Sequence, residues 1–211
     1  MIEEKRKTGV FLSVLGFGER NLKDATMEKL ADSGNGNYSY IDSLAEARKV
    51  LVSEAGATLV TIAKDVKVQV EFNPRQVAAY RLLGYENRIL RAEDFADDRK
   101  DAGEIGAGHA VTALYEIVPA GVSRLLPAAD PLKYQESGRA SAAAGNGELM
   151  TVKVRYKAPE GDRSRLLSVA VQAREAGEPS AALRFSAAVA AFGMLLRDSE
   201  HKGSASWAVS R

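Results

Sequence analysis

The sequence predicts an α+β protein, in which a partial doubly wound α/β segment precedes a β-rich, sandwich-like domain with a C-terminal packing helix. Strand and helix patterns alternate as far as Gly56, which is typical of a parallel sheet with covering helices. From Ala57 the hydrophobic period shortens to two, which indicates strands. We therefore divide the chain into residues 1–56 and residues 57–211, with the final helix at about 181–197.

The first region has five predicted elements. They are the end of a helix at 2–7, a strand at 10–15, a helix at 21–32, a strand at 38–41, and a helix from Ser43 to Gly56. The run at 10–15 is almost unbroken in apolar residues, as expected of a strand that is buried on both faces. Ser43 and Glu46 have the spacing of a capping box, which places the start of the last helix.

The second region alternates like a layer of antiparallel strands. Strands are predicted at 58–72, 77–85, 110–118, 150–157 and 166–173, with helix as an alternative at 77–85 and with loops or irregular structure at 86–104 and 119–147. In the first strand, Lys67 and its alternate neighbours predict one solvent-facing side, and residues 64–65 predict an interruption such as a bulge. In the final helix, four large apolar residues at spacings of 4, 3 and 4 predict the face that packs on a sheet: Phe185, Val189, Phe192 and Leu196.

The composition excludes several classes of function. There is no cysteine, so disulfides, thiol nucleophiles and Cys-ligated zinc are excluded, and only two histidines remain. The net charge is +1, from 29 basic and 28 acidic residues, so nucleic acid is not an expected partner. The apolar runs are far shorter than the roughly 20 residues of a membrane span, so we expect no direct membrane insertion by this chain.

The most regular glycine motif gives a weak nucleotide signal. Gly16 and Gly18 follow a predicted strand and precede a helix, but Asn21 stands where the third glycine of a dinucleotide fingerprint belongs. Asp42 is the one acidic residue at the end of the second strand, and the turn before Ser43 explains it. We interpret the motif as a strand-to-helix turn and predict no cofactor-binding residue.

An acidic stretch at 93–104 is the main candidate for chemistry. Its carboxylates are Glu93, Asp94, Asp97, Asp98, Asp101 and Glu104. The order of acids does not match a calcium loop, and Arg99 and Lys100 lie among them, which favours a solvated loop. Weak calcium binding and an enzyme with an unrecognised carboxylate pair remain as alternatives. We predict no catalytic residue and no metal-ligating residue.

Other conspicuous side chains have structural explanations. His109 has no cysteine or second histidine nearby in the sequence and is interpreted as a loop residue. The pairs Tyr38/Tyr40 and Tyr80/Tyr85 are typical of packing on a sheet face. The basic residues near the second pair lie among acids that offset their charge, so a nucleic-acid face is not expected there: Arg75, Arg81, Arg88 and Arg91.

Several long motifs resemble a known family. FLSVLGFG at 11–18, LAD at 30–32 and GNGNY at 34–38 resemble the end of a bacterial von Willebrand factor type A domain. VEFNP at 70–74, YRLLGYENR at 80–88, DAGEIGAGH at 101–109, ALYE at 113–116 and the helix at 185–198 resemble the C-terminal region of unknown function attached to it in bacterial envelope proteins. The resemblance runs from about Lys7 to Ser204.

The resemblance implies that residues 1–56 are only the last two strands and helices of a type A domain. The family's metal motif, D-x-S-x-S, is not matched; the nearest segment, 162–166, lacks the final serine. Magnesium is therefore expected only in a full-length type A domain, not in this chain. The resemblance implies a non-enzymatic protein-binding, adhesion or assembly role in the cell envelope, periplasm or extracellular space. Because two parallel strands leave an open edge, we expect residues 10–15 to pair with a second copy or with the β-rich domain.

Overall fold

The computed structural model describes residues 1–6, 8–18, 22–85, 89–125, 140–173 and 177–207, which form a mixed α+β fold with several sheets. The α-helices are α1 (Ile2–Arg6), α2 (Asp24–Ser33), α3 (Leu44–Arg48), α4 (Ala55–Leu59) and α5 (Ala181–Leu196). The strands are β1 (Val14–Phe17), β2 (Tyr38–Ile41), β3 (Thr61–Phe72), β4 (Val77–Leu83), β5 (Gly103–Gly106), β6 (Leu114–Pro119), β7 (Glu148–Lys157) and β8 (Ser164–Gln172).

The strands form three sheets. β1 and β2 are a parallel pair, β4 and β6 are an antiparallel pair, and the remaining strands have the order β5-β3-β7-β8. The chain divides into two compact units, each built from three segments of sequence. Unit 1 comprises Met1–Gln69, Arg91–Val111 and Lys153–Ser168, and unit 2 comprises Val70–Leu90, Thr112–Val152 and Val169–Arg211.

Within unit 1, the β1–α2–β2 segment packs closely because glycine stands at its contact points. β1 and β2 pair in register from Val14 opposite Tyr38 to Phe17 opposite Ile41. A Cβ atom built on Gly36 would lie 1.9 Å from the carbonyl oxygen of Leu12, which no side chain can occupy. The buried side chains of Ala31, on α2, and Ile41, on β2, add to the small core of this segment.

The predicted elements of the first region are mostly present, with shifted boundaries. The first strand begins at Val14 rather than at residue 10, although the Leu12 amide donates to Gly34. The proposed start of the next helix, Asn21, lies outside the described residues, and α2 begins at Asp24. The serine cap is confirmed, because the Ser43 hydroxyl accepts from the Glu46 amide at 3.2 Å.

The helix predicted to end at Gly56 is wrong in its continuity and its end. α3 gives way to a π-helical turn at Lys49–Ser53, and α4 then includes Gly56. The wider turn accommodates residues that the sequence pattern assigned to one regular helix, because a π turn adds one residue to each hydrogen-bonded ring. The Glu54 amide, at its end, donates to the carbonyl of Lys49.

β3 carries the interruption that the sequence predicts. Its pairing with β5 shifts register twice between Thr61 and Val66, and Asp65 has a φ of 51°. The predicted solvent-facing side of this strand is wrong at Lys67, which is only 2% exposed whereas the neighbouring Val68 is exposed, but Glu71 is exposed as predicted. The bulge changes the alternation of faces, and backbone carbonyls satisfy the buried ammonium.

The antiparallel ribbon of β4 and β6 organises unit 2. On one face, the rings of Phe72 and Tyr80 lie 4.5 Å apart, and Tyr115 completes an aromatic group 5.4 Å from Phe72. On the other face, Arg81 bonds Glu116 at 2.5 Å and reaches the Met194 sulfur of α5 at 3.4 Å. The ribbon therefore lies between an aromatic group and the C-terminal helix.

α5 confirms the predicted helix at the C-terminus, but not the predicted packing face. Ala190, Gly193, Met194 and Leu196 line a groove of about 350 Å³ beside Leu83 of β4. The large apolar side chains of the predicted face are exposed. The spacing identified a real apolar stripe, but no residue of α5 is buried, so the stripe is not a packing face within the described part of unit 2.

The contact at Gly36 gives a direct test of the β1–α2–β2 packing. We expect Gly36→Ala to lower the free energy of unfolding by more than about 2 kcal/mol, because the new methyl group overlaps the backbone of Leu12. Gly103→Ala is the control, since nothing lies within 4 Å of its added Cβ. Urea unfolding of both variants measures the difference, and equal stabilities would contradict this packing.

Candidate functional site

The acidic stretch at 93–104 is ordered around a buried lysine. Residues Ala92–Phe95 form a 3-10 helix, and the ammonium of Lys67 donates to the carbonyl oxygens of Asp94 and Asp97, at 3.1 and 2.5 Å. A cation at the carbonyl end of a helical turn compensates the partial negative charge there. The interpretation of this stretch as a loop is therefore incomplete, since it also contains β5.

Most carboxylates at the start of this stretch are held by local donors. Both oxygens of Asp97 accept from the Arg99 guanidinium at 3.0 Å, and this bonding lowers the pKa of Asp97 to about 2. Asp94 lies 3.4 Å from Lys100, and Asp98 accepts from the Ser164 amide. A cation binding here would compete with these partners.

A different set of carboxylates comes together in unit 1, and we call Asp65, Asp101 and Glu104 the carboxylate cluster. Glu104 lies on β5, Asp65 occupies the bulge of β3, and Asp101 precedes β5. The Asn35 amide donates to Glu104 at 2.6 Å, and an oxygen of Asp65 accepts from the Ala102 amide. The sequence named two of these residues, but Asp65 was missed because only the bulge directs it to the loop.

Two cations flank the cluster. Arg6 lies 2.8 Å from Asp101, and the Lys157 ammonium lies 2.7 Å from Asp65. Each of these bonds goes to a carboxylate other than Glu104. Burial, together with the charges of Asp101 and Asp65, raises the pKa of Glu104 to about 7. Burial likewise raises the pKa of Asp101.

The chemistry open to this cluster is proton exchange. A carboxyl group with a pKa near 7 holds or releases a proton at neutral pH, as general acids and bases do. Among the described residues, no group of three or more histidine, aspartate or glutamate side chains has an arrangement that could hold a metal ion.

The glycine motif has a packing role in the structure. A Cβ atom on Gly16 would lie 2.6 Å from the Leu22 side chain, so the glycine allows Leu22, just before α2, to pack against β1. Gly18 has a φ of 102°, and its carbonyl accepts from the Tyr40 hydroxyl at 2.8 Å. These contacts fit the interpretation of a strand-to-helix turn.

The remaining candidates are dispersed. His109 is exposed and donates its amide to Gly106. Tyr85 bonds the Thr112 carbonyl, and Arg81 is paired with Glu116. Arg88 lies outside the described residues. The structure therefore brings no two of these residues into a shared site within the described ranges.

The second candidate site is a surface on unit 2. We call the outward stripe of α5 the α5 seam, and its members are Phe185, Val189, Phe192 and Leu196. Phe185 is 71% exposed and Leu196 is 63% exposed. Trp207 meets the Phe192 ring edge-on at 5.9 Å and is itself exposed, so it extends the seam. A contiguous apolar surface of this kind is typical of an interaction site.

No helix within the described ranges has the length and apolar character needed to cross a membrane.

Comparison with known proteins defines the family. Residues 57–210 match a family model described as the C-terminal region of the uncharacterized protein YfbK, so the chain belongs to that family. Over 207 residues it is 45% identical to the uncharacterized protein YfbK of Escherichia coli strain K12, which covers 98% of this chain. The chain spans 35% of the length of that relative. No solved structure matches.

The buried lysine can be tested through the loop that it holds. We expect Lys67→Met to lower the free energy of unfolding by about 1–3 kcal/mol, because the carbonyls of Asp94 and Asp97 lose their buried donor. Hydrogen exchange should accelerate at the amides of residues 94–100. Lys64→Met, on the same strand, is the control. Unchanged exchange at 94–100 in the Lys67 variant would contradict this role.

The carboxylate cluster predicts a specific pH dependence. Since the pKa of Glu104 rises from 4.5 to about 7 on folding, the folded state binds more protons than the unfolded state between these values. Its ionisation therefore reduces stability as the pH rises through that window. We expect Glu104→Gln to be more stable than the native chain by about 1–2 kcal/mol at pH 8, after allowance for partial solvation.

Denaturant unfolding between pH 4 and pH 8 measures this difference. The advantage of Glu104→Gln should disappear near pH 4, where the native side chain is protonated in both states. Glu93→Gln, at an exposed position of the same acidic stretch, controls for the loss of one negative charge. A stability difference that does not vary with pH would refute the assignment.

Proposed function

We propose that this chain is a non-enzymatic protein-binding or assembly module of a larger bacterial cell-envelope protein. In this proposal, residues 1–56 are the last strands and helices of a von Willebrand factor type A domain. Residues 57–211 are a β-rich, sandwich-like accessory domain that presents the binding surface. The envelope location rests on the resemblance of the sequence motifs.

The observation that carries the binding role is the exposure of the α5 seam. Burying a large apolar side chain is worth about 1.5–3 kcal/mol relative to leaving it in water. Four such side chains lie in one stripe, and Trp207 lies beside them. A protein surface that covers them gains this free energy, whereas a small polar substrate would not.

Two further observations support the type A assignment. β1 and β2 are parallel neighbours joined through α2, which is the arrangement expected of the last two strands in the type A order 3-2-1-4-5-6. The family match begins at residue 57, next to the end of this segment. The longer relative has room for the remaining strands, since this chain matches 35% of it.

The carboxylate cluster supports one alternative function. Glu104, with its raised pKa, is the residue that an enzyme with a carboxylate site would use as a general acid or base. The calcium alternative for 93–104 has less support, because Arg99, Lys100 and the Ser164 amide already engage the carboxylates of Asp97, Asp94 and Asp98.

The binding role can be tested with a photo-cross-linking amino acid at Val189 in the full-length protein, in its native cells. We expect cross-linked protein products identified by mass spectrometry. The same amino acid at Ala187, which is exposed on the other side of α5, is the matched control. Phe185→Ser should reduce the yield at position 189 several-fold. Equal products at both positions, or none at position 189, would refute a binding role for the seam.

A further inference from the structure

The partner of the α5 seam can be specified further, and this step rests on the proposed function. We propose that the seam binds a second copy of this chain, with the two α5 helices packed antiparallel across a two-fold axis. Each copy would supply the same four residues, so the interface would be isologous.

The spacing of the seam suits a helix that packs on its own kind. Phe185, Val189, Phe192 and Leu196 follow intervals of 4, 3 and 4 residues, which are the a and d positions of two heptads. Knobs at these intervals fit the holes of a partner helix that has the same intervals. Ala190 and Met194 line the groove beside Leu83 on a neighbouring face of α5, which Leu196 of the seam also borders.

The flanks of the seam carry no charge that would oppose self-association. The e and g positions of this heptad assignment are Ser186, Ala188, Gly193 and Leu195. In a coiled coil these positions normally carry the charges that select a different partner or repel a like one. Uncharged flanks leave two like helices without repulsion, and the small side chains of Ser186 and Ala188 allow a close approach. Antiparallel packing also aligns the two helix dipoles favourably.

The available area sets the strength of this interface. The seam and Trp207 expose on the order of 600 Å² per chain, or about 1,200 Å² for two copies, when fully exposed aromatic side chains are taken as about 200 Å². This total lies at the lower limit for specific interfaces. We therefore expect a concentration-dependent dimer in the micromolar range rather than a permanent one.

The natural absence of cysteine allows a direct test on the full 211-residue chain. Full antiparallel overlap of the two seams pairs Val189 of one copy with Phe192 of the other. We expect a mixture of the Val189→Cys and Phe192→Cys chains to form a disulfide-linked dimer under mild oxidation at least tenfold faster than a mixture of the Ala187→Cys and Phe192→Cys chains. Sedimentation equilibrium of the cysteine-free chain should show a dimer, weakened at least tenfold by Phe185→Ser together with Val189→Ser.

Three outcomes would overturn the second-copy inference. They are a monomer at all concentrations up to about 1 mM, equal oxidation rates in the two cysteine mixtures, and a dimer that the double serine variant leaves unchanged. Circular dichroism of each variant must match that of the native chain before the comparison is made. The proposed function fails separately: a different protein cross-linked at Val189 in cells would refute self-association but retain the binding role.

Discussion

A helix with two apolar faces gains stability when both faces are covered, and this constraint underlies the proposed function of the chain. The face of α5 that carries Ala190 and Gly193 borders a groove beside the β4–β6 ribbon, where Arg81 adds a polar link to Met194. Within the described part of unit 2, the apolar side chains of the α5 seam are exposed. The binding role proposed for this chain rests on the exposure of that stripe.

Unit 1 depends on polar groups in place of a large apolar core. Lys67 is buried, and its ammonium holds the 3-10 helix at Ala92–Phe95 through two carbonyl oxygens. The bulge at Asp65 then brings a carboxylate beside Glu104 and Asp101, with Arg6 and Lys157 on either side. Such networks order a segment that is otherwise highly charged, at the cost of a carboxyl group that resists ionisation.

The family relationship and the glycine contacts concern different parts of the chain. The match to the C-terminal region of YfbK defines the family over residues 57–210. The parallel pair of β1 and β2 precedes this match, and its glycines allow close contacts with Leu12 and Leu22.

The sequence by itself determined the elements whose signals are local: the cap at Ser43, the bulge near Asp65 and the extent of α5. These follow from hydrogen bonds and periodicities within a few residues. The tertiary structure alone decided that Lys67 is buried and that the large apolar stripe of α5 is exposed. It also decided that Asp65 joins Glu104. Burial of a side chain and contact between charged groups depend on residues that are distant in sequence. Local sequence patterns carry no information about those residues.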